Sequence, residues 1–146
     1  MPSQRSISES AYYAHPRNAF WWIMSELLDF PEGLNYQEKL KQVRLSEFGL
    51  WDVLYDCHRP GSLDSNIQRD SEHVNDFDQF LSDYRSIKLI AFNGAAARQI
   101  FMRHCKKILE KHEHVNSVQL PSTSPAYASL SREKKLEQWR ASLCLR

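Results

Sequence analysis

The sequence predicts an α/β domain with a mostly parallel sheet. Two short apolar runs, Ile87–Phe92 and Val115–Leu120, read as strands. Between them, Ala95–Glu110 carries apolar residues at helical spacing, and a strand–helix–strand order joins parallel neighbours. A third apolar, β-prone run, Leu50–Tyr55, is expected as a further buried strand.

The remaining elements follow in chain order. Met1–Ser10 is polar and rich in serine, and reads as a loop. The first helix is expected from about Pro16 to Asp29, with Phe20, Ile23, Met24, Leu27 and Leu28 on one face. Pro16 suits its first turn, where the missing N–H has no intrahelical partner. A second helix, roughly Tyr36–Glu47, would be capped by Gly49. Cys57–Asp70 is a loop by composition, and Val74–Tyr84 a helix with Phe77, Phe80, Leu81 and Tyr84 together. A last helix, Ser131–Leu143, has Ser131 as its N-cap and a basic face at Lys134 and Lys135.

With 146 residues the chain has the length of one domain, and its 25% charged and 42% apolar residues are ordinary for a globular protein. The net charge of +1 hides an asymmetry. Residues 1–84 hold 7 Lys/Arg against 14 Asp/Glu (−7), and residues 85–146 hold 12 against 4 (+8). A basic second half suits a surface that follows phosphates, although solvated helix faces give the same bias. No stretch has the length and apolarity of a membrane span, and Cys57, Cys105 and Cys144 lack framework spacing, as expected of free thiols in the cytoplasm.

Several chemistries lack their residues. Cys57-His58, His104-Cys105 and His112-Glu113-His114 supply ligand types without the spacing of a zinc site. Ser122, Thr123 and Ser124 have no neighbouring base and no Gly-x-Ser-x-Gly turn around them. Gly94 opens a helix, but no glycine-rich phosphate fingerprint accompanies it. A thiol or metal-binding module on Cys57, Cys105 and the His112/His114 pair is the least favoured reading.

In parallel sheets the ligand crevice lies beyond the C-terminal strand ends. Those ends deliver Phe92-Asn93-Gly94 and Leu120-Pro121-Ser122-Thr123-Ser124-Pro125. A third polar and aromatic cluster, Tyr12-Tyr13-Ala14-His15-Pro16-Arg17-Asn18-Ala19-Phe20-Trp21, stands where a loop becomes a helix. Its plain reading is an aromatic helix start that packs into a core. Combined with the strand ends, it supplies amides, hydroxyls and rings that can stack on a flat base, bond its edge and hold a water. Enzymes that cut a base from DNA flip it into such a pocket.

These residues carry a resemblance. Tyr13-Ala14-His15-Pro16-Arg17-Asn18-Ala19-Phe20-Trp21 resembles the aromatic-Ala-His-Pro-x-Asn-x-Phe-Trp segment of the mismatch-specific branch of the uracil-DNA glycosylase superfamily. The chain is more similar still to the hypoxanthine-DNA (DNA-deoxyinosine) glycosylase branch. It shares Gly49–Leu54, Gly61-Ser62-Leu63-Asp64-Ser65, Phe92-Asn93-Gly94 and Leu120–Ala126, in family order over nearly its whole length.

The resemblance implies a three-layer α/β/α sandwich around a short, mostly parallel sheet, and one DNA glycosylase domain over residues 1–146. Its partner would be double-stranded DNA carrying a deaminated base, bound by a monomer in the cytosol. Tyr13 would stack on the flipped base, with His15 and Phe92 beside it. Asn18 would orient the attacking water, and Asn93 would bond the base edge. Pro121, Ser122, Thr123, Ser124 and Pro125 would grip the DNA. No cofactor or metal is implied, and hypoxanthine or uracil remains the candidate base. Leu120 stands where the superfamily's second motif usually begins with His. Met1-Pro2-Ser3 aligns with the middle of the first motif, so the first strand is expected to be missing, through a misassigned start or in a decayed copy. An inactive or merely DNA-binding remnant is therefore the alternative expectation.

Overall fold

The computed structural model describes residues 4–61 and 63–143. Met1-Pro2-Ser3, Ser62 of the Gly61–Ser65 segment, and the Cys144 thiol lie outside the described residues. The element order is α1 (Gln4–Ser8), α2 (Phe20–Leu28), α3 (Tyr36–Leu45), β1 (Leu54–Asp56), β2 (His73–Val74), α4 (Phe77–Asp83), β3 (Leu89–Asn93), α5 (Ala95–Lys111), β4 (Asn116–Leu120) and α6 (Arg132–Leu143). The chain divides into two compact units, one from Asp52 to Pro121 and one combining the segments before and after it.

The Asp52–Pro121 unit is built on β3–α5–β4. The two strands pair in parallel, from Leu89 opposite Asn116 to Asn93 opposite Leu120. Gly94 continues the ladder by one bond, its N–H donating to the Leu120 carbonyl at 3.0 Å, and turns the chain straight into α5. Its φ of 103° is costly for a side chain and routine for glycine. The strand ends therefore lie side by side, as the sequence predicts. Beneath them Phe77, Phe92, Phe101 and Cys105 form the core, with Ile90, Ala97 and Ile108 against it. The Cys105 thiol is pushed up by burial, as fits a packing residue.

Two charge clusters close this unit. Asp78 of α4 accepts from Lys111 at 2.7 Å and pairs with His112 Nε2 at 2.8 Å, at the C-terminal end of α5 where cations are favoured. Glu72, whose side chain is 3% exposed, accepts from Arg103 and lies 2.6 Å from His104 Nε2. Burial raises the Glu72 pKa, but the hydrogen bonds from Arg103 and His104 outweigh it and hold the carboxyl below its usual range.

The Leu50–Tyr55 strand requires correction. Asn75 takes the Asp52 carbonyl with its side-chain amide (2.8 Å) and the Val53 carbonyl with its backbone N–H (3.0 Å). Pairing thus begins only at Leu54, antiparallel to the two-residue β2, and Tyr55 is exposed. The buried strand is a short ladder with one buried residue.

In the other unit α2 is the hub, packing on α3 and α6. It buries Phe20, Ile23 and Met24, and the Phe20 ring meets Trp139 of α6 edge-on at 5.9 Å. Helix α3 opens with a capping box between Asn35 and Glu38. It closes at Leu45, before Gly49. The Phe48 and Glu47 N–H groups donate to Val43 and Arg44, with Glu47 at φ 61°. This is a Schellman ending with glutamate where glycine is usual. The expected loop at Met1–Ser10 contains helix α1. No helix among the described residues is long and apolar enough to cross a membrane.

Candidate active site

The site is a cavity of about 470 Å³ inside the second unit, a volume in the range that holds a small ligand. Its walls include Tyr12, Tyr13, His15, Asn18, Thr123 and Lys135.

The Tyr12–Asn18 stretch is shaped by its own hydrogen bonds. Tyr12 is pinned at both backbone groups: its N–H donates to the Tyr36 hydroxyl (3.0 Å), and its carbonyl accepts from Trp21 Nε1 (2.9 Å). Tyr13 follows in the left-handed region (φ 55°), its ring stacked on Phe20 at 3.8 Å and 20°. Left-handed backbone at a tyrosine costs energy and persists where surrounding contacts enforce it. Here the pinned Tyr12 and the Phe20 stack do so.

Pro16 does not enter the helix. The Asn18 N–H donates to the His15 carbonyl at 2.8 Å, closing a turn with Pro16 at its second position, where proline's fixed φ is favoured. The Arg17 N–H donates to His15 Nδ1 (3.1 Å), which places the proton of a neutral ring on Nε2. Helix α2 then starts at Phe20, whose N–H donates to Asn18 Oδ1 at 3.0 Å. Asn18 thus satisfies an orphan donor of the helix N-terminus while lining the cavity.

The chain after β4 enters the same cavity through Thr123, which is 1% exposed and whose carbonyl accepts from the Ala19 N–H at 3.0 Å. Ser122 Oγ accepts from the Ser124 N–H and Ser124 Oγ from the Ala126 N–H, two successive hydroxyl turns. Pro125 is exposed.

The predicted residues thus fall into two groups. Tyr13, His15, Asn18 and Thr123 share one cavity. Ser122, Ser124 and Pro125 flank Thr123 in sequence. Phe92, Asn93 and Pro121 belong to the Asp52–Pro121 unit, at the paired strand ends. Phe92 faces the core of its unit. Its ring is 3% exposed and packs on Phe101 at 5.0 Å, because alternate residues of a strand face opposite sides. Phe92 shapes the strand end as a core residue.

Lysine 135, assigned by sequence to the basic face of the last helix, is 5% exposed in the cavity wall. Its Nζ donates to the Ser124 carbonyl (3.3 Å) and lies 5.3 Å from the Tyr127 ring centre. Burial lowers its pKa, opposed by Tyr127. The signal was present in the sequence: Lys135 precedes Leu136 and stands four residues before Trp139, both buried. One turn earlier Arg132 also lines the cavity, its guanidinium 4.4 Å from the Trp22 ring centre. Among the described residues, no group of three or more His, Cys, Asp or Glu is placed to hold a metal ion.

An aromatic and amide-lined cavity with a cationic wall suits a flat polar ligand, and comparison with known proteins supplies the class, that of the DNA glycosylases. The chain is 32% identical over 142 residues to a hypoxanthine DNA glycosylase of Methanosarcina acetivorans, covering 97% of this chain and 84% of that protein. It is 33% identical over 95 residues to a hypoxanthine DNA glycosylase of Methanosarcina barkeri, covering 64% and 59%. The solution NMR structure of a candidate uracil DNA glycosylase from Methanosarcina acetivorans superposes with a TM-score of 0.77 at 32% identity, over 96% of this chain and 82% of that one. No family model matches the chain. The chain belongs to the hypoxanthine DNA glycosylase family, and its fold is the α/β fold of the uracil-DNA glycosylase superfamily.

Proposed function

We propose that this protein is a monofunctional DNA glycosylase that hydrolyses the N-glycosidic bond of deoxyinosine, releasing hypoxanthine from double-stranded DNA. The observation that carries the proposal is the 32% identity with a hypoxanthine DNA glycosylase across 97% of the chain. The cavity that joins Tyr13, His15 and Asn18 is consistent with it.

The chain acts as one glycosylase domain and as a monomer. The deaminated nucleotide is extruded from the duplex, and Tyr13, backed by Phe20, offers its ring for stacking. Asn18 retains a second Oδ1 lone pair and an NH2 group beyond its bond to Phe20, enough to hold and orient a water. The water oxygen forms the new bond to C1′ as the C1′–N9 bond breaks, through an oxocarbenium-like sugar. Hypoxanthine departs as an anion, and the second proton of the water passes to solvent, which in turn protonates the released base. Asn93 bonds the base edge during departure. Residues 121–125 hold the DNA backbone.

A duplex with one deoxyinosine, incubated with the full chain and then treated with alkali, should break at that position. Parallel duplexes carrying uracil or xanthine rank the substrates. No alkali-labile site at deoxyinosine overturns the proposal.

A further inference from the structure

Lysine 135 presents an unusual arrangement. The residue is 5% exposed in a wall of the cavity, and no carboxylate of the described residues pairs with it. An ammonium has three N–H donors, and the Ser124 carbonyl takes one. Burying an uncompensated cation is costly, so such a group is retained most readily where an anion arrives to meet it. The cavity walls reinforce the sign: Arg17, Lys39, Arg132 and Lys135 line it against Glu9 and Glu32.

Two anionic groups could meet this ammonium in a glycosylase. The departing base is negative only late in the reaction, whereas a DNA phosphate is negative throughout. The contact with Ser124 favours the phosphate. The Ser122 and Ser124 hydroxyl oxygens each accept a backbone N–H, so their own O–H groups remain to be donated. Lys135 is tied by its Nζ to that same segment. Lys135 thus sits against the segment that the functional reading assigns to the DNA backbone, and two hydroxyls of that segment have O–H groups to offer phosphate oxygens.

We propose that Lys135 is a DNA-binding residue whose ammonium contacts a backbone phosphate beside the extruded nucleotide, together with the Ser122 and Ser124 hydroxyls. This inference rests on the DNA glycosylase reading above.

Binding is measured on a duplex carrying a stable abasic-site analogue, over a series of salt concentrations, for the wild type, Lys135→Gln, Lys135→Met and Lys135→Arg. Loss of one phosphate contact should reduce the slope of log K against log salt by about 0.9 in Gln and Met, with Arg keeping the wild-type slope. The single-turnover rate on deoxyinosine, followed across enzyme concentrations, should fall more at low enzyme than at saturation, as loss of a binding contact requires. Met keeps the apolar stem and removes a buried charge that has no carboxylate partner among the described residues, so it should melt no lower than the wild type and misfolding does not obscure the result. An unchanged salt slope in Gln and Met overturns the inference. So does a lost single-turnover rate with unchanged binding, which would assign Lys135 to the leaving base. Failure of the wild type to cut deoxyinosine sinks the functional reading alone, since the salt slope reports on Lys135 independently.

Discussion

The side-chain oxygen of Asn18 accepts the Phe20 backbone N–H at 3.0 Å, so one amide both starts helix α2 and lines the cavity. Asn18→Ala should lower stability by about 1 kcal/mol through the lost hydrogen bond to the Phe20 N–H and reduce turnover at least ~100-fold. Asn18→Asp keeps an acceptor at a helix N-terminus and should melt close to the wild type. Thermal melts beside a deoxyinosine cleavage assay separate the two effects. Wild-type turnover in the alanine variant would remove Asn18 from the chemistry.

Tyr13 lies parallel to Phe20 at 3.8 Å. Under the proposed stacking role, Tyr13→Phe should retain activity, because the ring is kept. Tyr13→Ala should weaken engagement of the base by about 1–3 kcal/mol, roughly 5- to 150-fold. Single-turnover kinetics against enzyme concentration would show it. Equal concentration dependence in both variants would deny Tyr13 the stacking role.

The sites differ in how far the sequence disclosed them. The β3–α5–β4 unit was legible because its strands are apolar runs and its helix has uninterrupted periodicity. Asn93 and Leu120 were accordingly expected on one rim and are paired. Helix α1 and strand β2 left no signal, since five and two residues are too short to display a period. Pro16 misled because a helix first turn and the second position of a tight turn accept it equally. Lys135 misled because its charge predicts exposure, and only its spacing from Trp139 argued otherwise.

Glu72 supplies a pH-dependent part of the stability. Its carboxyl is held below the ordinary value of 4.5, so the folded state binds its proton less readily than the unfolded chain. The stabilisation is complete above pH 4.5 and is lost as pH falls through the folded value. Glu72→Gln should cost about 2 kcal/mol at neutral pH by weakening the bonds to Arg103 and His104, and the gap to wild type should narrow in acid. Denaturant melts at neutral and acidic pH test this, and a gap independent of pH would contradict it.

Glu47 carries left-handed backbone at the end of α3. Glu47→Gly removes the penalty paid by its Cβ and should raise stability by about 1 kcal/mol without touching the cavity. Calorimetry should show a higher melting temperature and cleavage assays no change. A lower melting temperature would mean that the Glu47 side chain contributes more than its backbone costs.

The Ala19 N–H to Thr123 carbonyl bond ties the start of α2 to the chain that follows β4. Because both partners are backbone groups, drift in the side chains at either position leaves the bond intact, and proline at 19 is the substitution that deletes the donor. The bond itself therefore constrains the length of the 121–125 segment and not its side chains, which are held by burial and by the proposed contact with DNA. Loop grafts between family members should succeed when the spacing from β4 to Thr123 is kept, and fail when a single residue is inserted there.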